Sequence, residues 1–204
     1  MRERRLRVSL VCAWSLALGG ALGSLPVAAE VPGPPAATSH APRFARKLPA
    51  PRGVAYAAEV APGLYRGGQP NAEGIAWLKS IGVKTVLNLR HHHGDTEQRQ
   101  VESAGLRYER IALGSSDAPK PEQVARFLEI VRDPTLRPLY VHCLHGVDRT
   151  GAMMAVYRME EQGWSNPEAY AEMQFFEAHK IWQDLRKFVR GYRARKPAAA
   201  IVAK

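Results

Sequence analysis

Val141-His142-Cys143-Leu144-His145-Gly146-Val147-Asp148-Arg149-Thr150-Gly151 decides how this chain is read. The run before it, Pro138-Leu139-Tyr140-Val141, is short and apolar and reads as a buried strand. The run after it, Ala152-Met153-Met154-Ala155-Val156-Tyr157, reads as the first turns of a buried helix. The stretch is therefore a strand–loop–helix joint, with a cysteine at the start of the loop and an arginine at its end.

Such a joint has a definite chemistry. A loop entering a helix leaves backbone N–H groups without carbonyl partners, all pointing one way. Together with the positive end of the helix dipole they form an anion site. Five residues separate Cys143 from Arg149, enough to curl the backbone around a tetrahedral oxyanion. Gly146 lets the loop turn without a Cβ clash. Arg149 offers a planar fork to two phosphate oxygens. The same positive field falls on the sulfur of Cys143 and favours its thiolate, the nucleophilic form. The phosphate-binding segment is Leu144, His145, Gly146, Val147, Asp148, Arg149 and Thr150, and the Thr150 hydroxyl is a candidate donor to the sulfur. The competing reading, a buried inert cysteine, leaves Arg149 and Asp148 as poor material for an apolar joint.

His142-Cys143-x5-Arg149-Thr150-Gly151 resembles the active-site signature of cysteine-dependent protein tyrosine and dual-specificity phosphatases. Upstream, Leu64-Tyr65-Arg66-Gly67-Gly68-Gln69-Pro70 and Leu78 to Arg90 resemble the bacterial and plant/fungal atypical dual-specificity members. The resemblance covers roughly residues 60–180. It implies Cys143 as nucleophile and Arg149 as phosphate ligand. It also implies an aspartate on an upstream loop as general acid, for which Asp117 is the first candidate and Asp95 the third; Asp148 is the second candidate, because some lipid-directed relatives carry an aspartate immediately before the arginine. It implies a phosphocysteine intermediate and no metal or organic cofactor. The expected substrates are phosphotyrosine, phosphoserine or phosphothreonine on protein. Inositol phosphates or phosphoinositides are the alternative, which Arg90, Lys120 and the histidines would serve. A phosphate-binding module without turnover is a further alternative. Rhodanese-like sulfur transferases also use a loop cysteine but fit the x5-Arg-Thr-Gly pattern poorly.

Around this centre the chain reads as one α/β domain with a largely parallel central sheet flanked by helices. Residues 54–195 form the expected domain. Gly63 to Arg66 reads as a strand, and Asn71 caps a helix through Ser80 that Gly82 stops. Val83 to Leu89 reads as a core strand and Thr96 to Ala104 as a polar helix. Leu106 to Ile111 alternates as a strand, and Pro121 opens a helix through Arg132. After the loop, helices are expected over Thr150 to Gln162, from Asn166-Pro167 to about His179, and over Ile181 to Tyr192. The last is basic and amphipathic; packing on the domain is preferred over membrane binding. His91-His92-His93 lies beyond a strand end, on the edge where ligands bind in open α/β sheets. Three adjacent loop histidines do not point at one centre, so a metal site is not expected there. Substrate contact and plain solvation both stay open.

The amino end reads as a secretory signal peptide over residues 1–29. Arg2, Arg4, Arg5 and Arg7 precede an uncharged apolar run from Val8 to Leu22, and Val27-Ala28-Ala29 supplies small residues at the cleavage position. A secreted or periplasmic protein is expected; an uncleaved anchor, giving membrane attachment, is the alternative. Cleavage would remove Cys12, leave Cys143 as the sole cysteine, and lower the net charge from +10 to +7. That charge favours anionic partners, but no nucleic-acid motif accompanies it. Residues 30–53, rich in Pro and Ala, read as a linker, and 196–204 as a disordered tail.

Overall fold

The computed structural model describes residues 44–91 and 95–195. The expected signal segment, most of the expected linker, His92, His93 and the expected tail lie outside the described residues. Six strands form one sheet: β1 (Arg46–Lys47), β2 (Ala58–Ala61), β3 (Leu64–Gly67), β4 (Thr85–Arg90), β5 (Arg107–Leu113) and β6 (Leu139–His142), in the order β1-β2-β3-β6-β4-β5. The four strands β3, β6, β4 and β5 are parallel, while β1 and β2 add on antiparallel at one edge. The expected largely parallel α/β domain is what the chain forms.

The helices are α1 (Ala72–Ser80), α2 (Thr96–Ser103), α3 (Pro121–Arg132), α4 (Asp148–Glu161), α5 (Asn166–Phe175) and α6 (Gln183–Gly191). Their ends follow local chemistry. Asn71 accepts the Gly74 N–H at 2.9 Å and starts α1, and Gly82, at φ +83°, turns the chain away after it. α5 starts one residue earlier in its capping than Asn166-Pro167 suggests, because Ser165 and Glu168 form a reciprocal capping box. It ends at Phe175 rather than near His179; Glu177 there takes a positive φ of 61° that no helix accommodates.

The alternation along β6 sorts the core. Leu139, Val141 and Cys143 join the cluster that packs under α3 and α4 with Phe127, Val131 and Met153. Tyr140 belongs to the opposite cluster, with Ile75, Leu78 and Val101 from α1 and α2. Twelve of the 14 residues of α4 are buried, since the sheet covers one side of it and α5 and α6 the other. α6 buries Leu185 and Val189 against Ala152, Ala155 and Met159, the packed arrangement preferred from sequence. Among the described residues no helix is long and apolar enough to cross a membrane.

Residues 44–53, grouped with the linker on composition, belong to the folded unit. Phe44 packs on Trp164 and Phe175, and the buried Ala45 N–H donates to Glu172 at 2.7 Å. Leu48 N–H bonds Ala57 O at 2.8 Å. A two-residue edge strand among prolines leaves no period for sequence reading to find.

Candidate active site

Strand β6 ends at His142, and α4 begins at Asp148. The loop between them curls back so that the Gly146 N–H points at Cys143 Sγ, 3.3 Å away. Gly146 sits at φ +82°, and a Cβ there would overlap the Gly67–Gly68 peptide. That peptide belongs to the turn after β3, which forms a second layer against the loop. Gln69 N–H donates to Leu144 O at 3.1 Å, and Gly68 N–H to Ala55 O at 2.7 Å. Tyr140 Oη reaches the Gly68 carbonyl at 2.5 Å. Arg90 bonds the Gln69 side chain, which places it beside this layer. Cys143 is nearly fully buried, Leu144 and His145 are exposed, and Arg149 is half-buried in the first turn of α4. Thr150 is buried in the same turn, with its hydroxyl unpartnered.

His142 faces the α1/α2 side. Its Nδ1 lies 3.1 Å from Cys143 O, so that nitrogen carries a proton. Nε2 lies 2.9 Å from Glu97 Oε1, off hydrogen-bond alignment but within ion-pair distance. The other Glu97 oxygen accepts from Asn88 Nδ2 at 2.6 Å, and that amide also meets Tyr108 Oη at 2.9 Å. Burial pushes the Tyr108 phenol upward. Glu97, buried on α2, looks in sequence like one more polar residue of an exposed helix; only the fold brings it under the loop.

The three candidate aspartates separate clearly. Asp117 is exposed on the loop after β5, its carboxylate accepting from Ser116 Oγ at 3.4 Å and folding back over Gly114. Asp148 is buried, and both its oxygens are engaged by one residue: His179 N–H at 2.8 Å and His179 Nδ1 at 2.7 Å. Asp95 precedes α2, exposed, with Arg99 at 3.9 Å. Nothing in the sequence marks His179: it lies 31 residues from its partner and no local pattern links them. Its ring stands 5.7 Å from that of His145. Ligand atoms of His145, Asp148 and His179 lie within 4.8 Å of one another, a spacing that a metal ion could use, although the Asp148 oxygens already have donors. His91, the one described member of the histidine run, is exposed and its carbonyl accepts from Arg110. Lys120 is exposed just before α3.

Concavity alone would mislead. A groove of about 450 Å³ between α1 and α2, lined by Ile75, Lys79, Thr96, Arg99 and Ser103, includes no residue of the loop. The chemistry sits at the loop.

Comparison with known proteins agrees with this geometry. The family model described as a DSP-PTPase phosphatase fused to NAD+ kinase matches residues 52–191. The chloroplastic probable NAD kinase 2 of Oryza sativa is 36% identical over 110 residues, 49% of this chain but 11% of that much longer protein. The dual specificity protein phosphatase TpbA of Pseudomonas aeruginosa is 30% identical over 161 residues, covering 74% of this chain and 72% of TpbA. Inositol diphosphatase DSP2 of Oryza sativa is 26% identical over 65% of this chain and 67% of its own. A crystal structure of a cysteine-to-serine TpbA variant in complex with phosphotyrosine superposes with a TM-score of 0.63 at 26% identity, covering 75% of this chain and 92% of that one.

Proposed function

The chain belongs to the DSP-PTPase phosphatase family, and we propose that it hydrolyses phosphomonoesters on phosphotyrosine, phosphoserine or phosphothreonine of protein substrates. The observation that carries this is the loop itself: a buried cysteine whose sulfur receives a backbone N–H at 3.3 Å, with an arginine opening the following helix.

The chemistry needs two displacements. Cys143 sulfur attacks phosphorus, forming an S–P bond as the ester P–O bond breaks. The leaving oxygen takes a proton from the general acid. Water then attacks the phosphocysteine, gives its proton back to that group, and the S–P bond breaks. The loop amides and Arg149 stabilise the equatorial oxygens in both steps. Asp117 is proposed as the acid. It stands on a loop, exposed and without an ion pair among the described residues, whereas Asp148 is committed to His179.

The test is hydrolysis of aryl phosphates without added metal. Wild type should turn over and form a trappable phosphocysteine, and Cys143→Ser should do neither. Asp117→Asn should lose roughly 10²–10⁴-fold on substrates with poor leaving groups and much less on activated ones. Oxyanion binding without turnover by wild type would reduce the protein to a binding module. A second reading, inositol polyphosphates as substrate, is favoured by the similarity to inositol diphosphatase DSP2 and by Arg90 beside the loop. Turnover confined to those compounds in a substrate panel would select it.

Export is part of the proposal. The arginine-led apolar segment at residues 1–29 supports a secreted or periplasmic enzyme. Fractionation after expression with this segment distinguishes a processed soluble form from one that pellets with membrane through a retained anchor.

A further inference from the structure

Arg66 is the largest fully buried side chain among the described residues, and its charge is only partly answered. It lies on β3 beside Val141 of β6 in the parallel register. Val141 and Cys143 share one face of β6, so Arg66 reaches the underside of the loop on the nucleophile's side. Nη2 donates to Gly146 O at 2.8 Å, and Gly146 is the residue whose N–H meets the sulfur. The guanidinium carbon stacks 3.9 Å from the centre of the Phe176 ring. Nε and Nη1 are buried without hydrogen-bond partners.

The neighbouring charges do not balance it. Arg158 grips Glu172 with a fork, at 3.0 and 2.5 Å, and Ala45 N–H fills the same carboxylate. Two buried arginines thus face one buried glutamate. The remaining groups that act on Arg66 are Tyr140, whose hydroxyl is tied to Gly68 O, and Cys143. The Glu97–His142 pair is on the other face of the sheet. Burial pushes the Arg66 guanidinium down to about 10, while Glu172 and Cys143 pull it back up. A buried cation without a counter-ion of its own is strongly unfavourable, and beyond Glu172, which Arg158 already holds, the attraction on Arg66 comes from the sulfur.

We propose that Arg66 is the buried counter-cation of the Cys143 thiolate, a positioning residue that never touches substrate but both fixes Gly146 against the sulfur and makes ionisation of the nucleophile part of what stabilises the fold. The proposal rests on the thiolate reading above.

The experiment is a double-mutant cycle with Arg66→Met and Cys143→Ser, read by urea unfolding under reductant, beside alkylation of Cys143 by iodoacetamide in the absence of substrate. If Arg66 answers the thiolate, Cys143→Ser destabilises wild type and does so much less once Arg66 is methionine. The stability gap between wild type and Cys143→Ser widens as pH rises, because a thiolate that the fold holds makes folding and deprotonation favour each other. Alkylation near neutral pH slows about tenfold or more in Arg66→Met, and Arg66→Lys, which keeps the charge, recovers most of the rate. Additive stabilities, or equal alkylation rates in wild type and Arg66→Met, overturn the proposal. Should Arg66→Met not fold, the gap between wild type and Cys143→Ser decides alone, and a gap independent of pH refutes it. Neither readout uses phosphate hydrolysis, so a protein that couples Arg66 to Cys143 but turns over neither aryl phosphates nor inositol polyphosphates would defeat the enzyme reading and leave this one standing.

Discussion

Gly82 and Gly146 have the same backbone conformation, φ +83° and +82°, in opposite surroundings. A Cβ on Gly82 would meet nothing within 4 Å. A Cβ on Gly146 would run into the Gly67 carbonyl carbon and the Gly68 nitrogen, in a segment pinned by the Gly68–Ala55 hydrogen bond and by Tyr140. Alanine at either position carries the left-handed penalty, about 1–2 kcal/mol. For a chain of this size that is about 2–4 °C of Tm per kcal/mol. Gly82→Ala should therefore melt a few degrees low and keep its activity. Gly146→Ala carries the same penalty plus a backbone displacement, so its loss of Tm should be at least about twice as large. The displacement moves the N–H that faces Cys143 Sγ, and a shift on the order of 1 Å at a reacting centre costs about 10²-fold in rate. The assay is thermal melting and kcat/KM on an aryl phosphate for both variants side by side. Equal Tm losses, together with a Gly146→Ala enzyme as active as wild type, would refute the reasoning, because the shared conformational cost cancels in the comparison.

Other consequences are open to direct measurement. Glu97→Gln removes the charge facing His142 Nε2 in a buried site; it should cost about 1–3 kcal/mol in urea unfolding and lower kcat/KM, and an unchanged midpoint would mean the pair contributes nothing. Arg158→Met strips the fork from buried Glu172 and should cost about 3–5 kcal/mol, far more than an exposed arginine such as Arg126. His179→Ala leaves the buried Asp148 carboxylate with a single backbone donor; a loss of about 1–3 kcal/mol is expected, and calorimetry that finds none would sever the link between the helix start and residue 179. Ser165→Ala should cost about 1 kcal/mol at neutral pH. The Ser165 side chain, and then its backbone N–H, hold the Glu168 carboxyl below its ordinary value of 4.5. A carboxyl depressed in the folded state stabilises above its unfolded value and stops doing so as pH falls through the folded one. The gap between wild type and Ser165→Ala should accordingly shrink on acidification below about pH 4.5; a gap constant down to pH 2 would contradict this.

Much of the fold was legible because the signals were local. Asn71 and Gly82 bracket α1, Pro121 opens α3, and the Val83–Leu89 run becomes β4 with few residues to spare. The loop was legible because a cysteine, a glycine and an arginine at fixed spacing serve one backbone shape. β1 and β2 escaped notice because Arg46–Lys47 and Ala58–Ala61 have weak strand propensity and form only by adding to an existing edge. The supporting side chains escaped for a different reason. Glu97 and His179 reach the site across 45 and 31 residues from His142 and Asp148, and nothing in their own neighbourhoods marks them. Arg66 was visible as part of the Leu64 to Pro70 segment, but its complete burial follows only from the strand order that puts β3 next to β6.

The alternation of β6 makes the sheet a partition. His142 and Cys143 are adjacent in the chain, yet one belongs with Glu97 and Asn88 and the other with Arg66 and Glu172. Two wiring layouts therefore meet at a single peptide bond, with Tyr140 the group that feels both. A designer wishing to change how the loop is aimed can work on the α1/α2 side without redrawing the charges behind the sulfur. One wishing to change nucleophile strength works behind β3, where Arg66 supplies the charge and also holds the Gly146 carbonyl, so strength and aim move together there. Natural variation meets the same asymmetry: the α1/α2 side can shift geometry alone, while a change behind β3 shifts geometry and reactivity together.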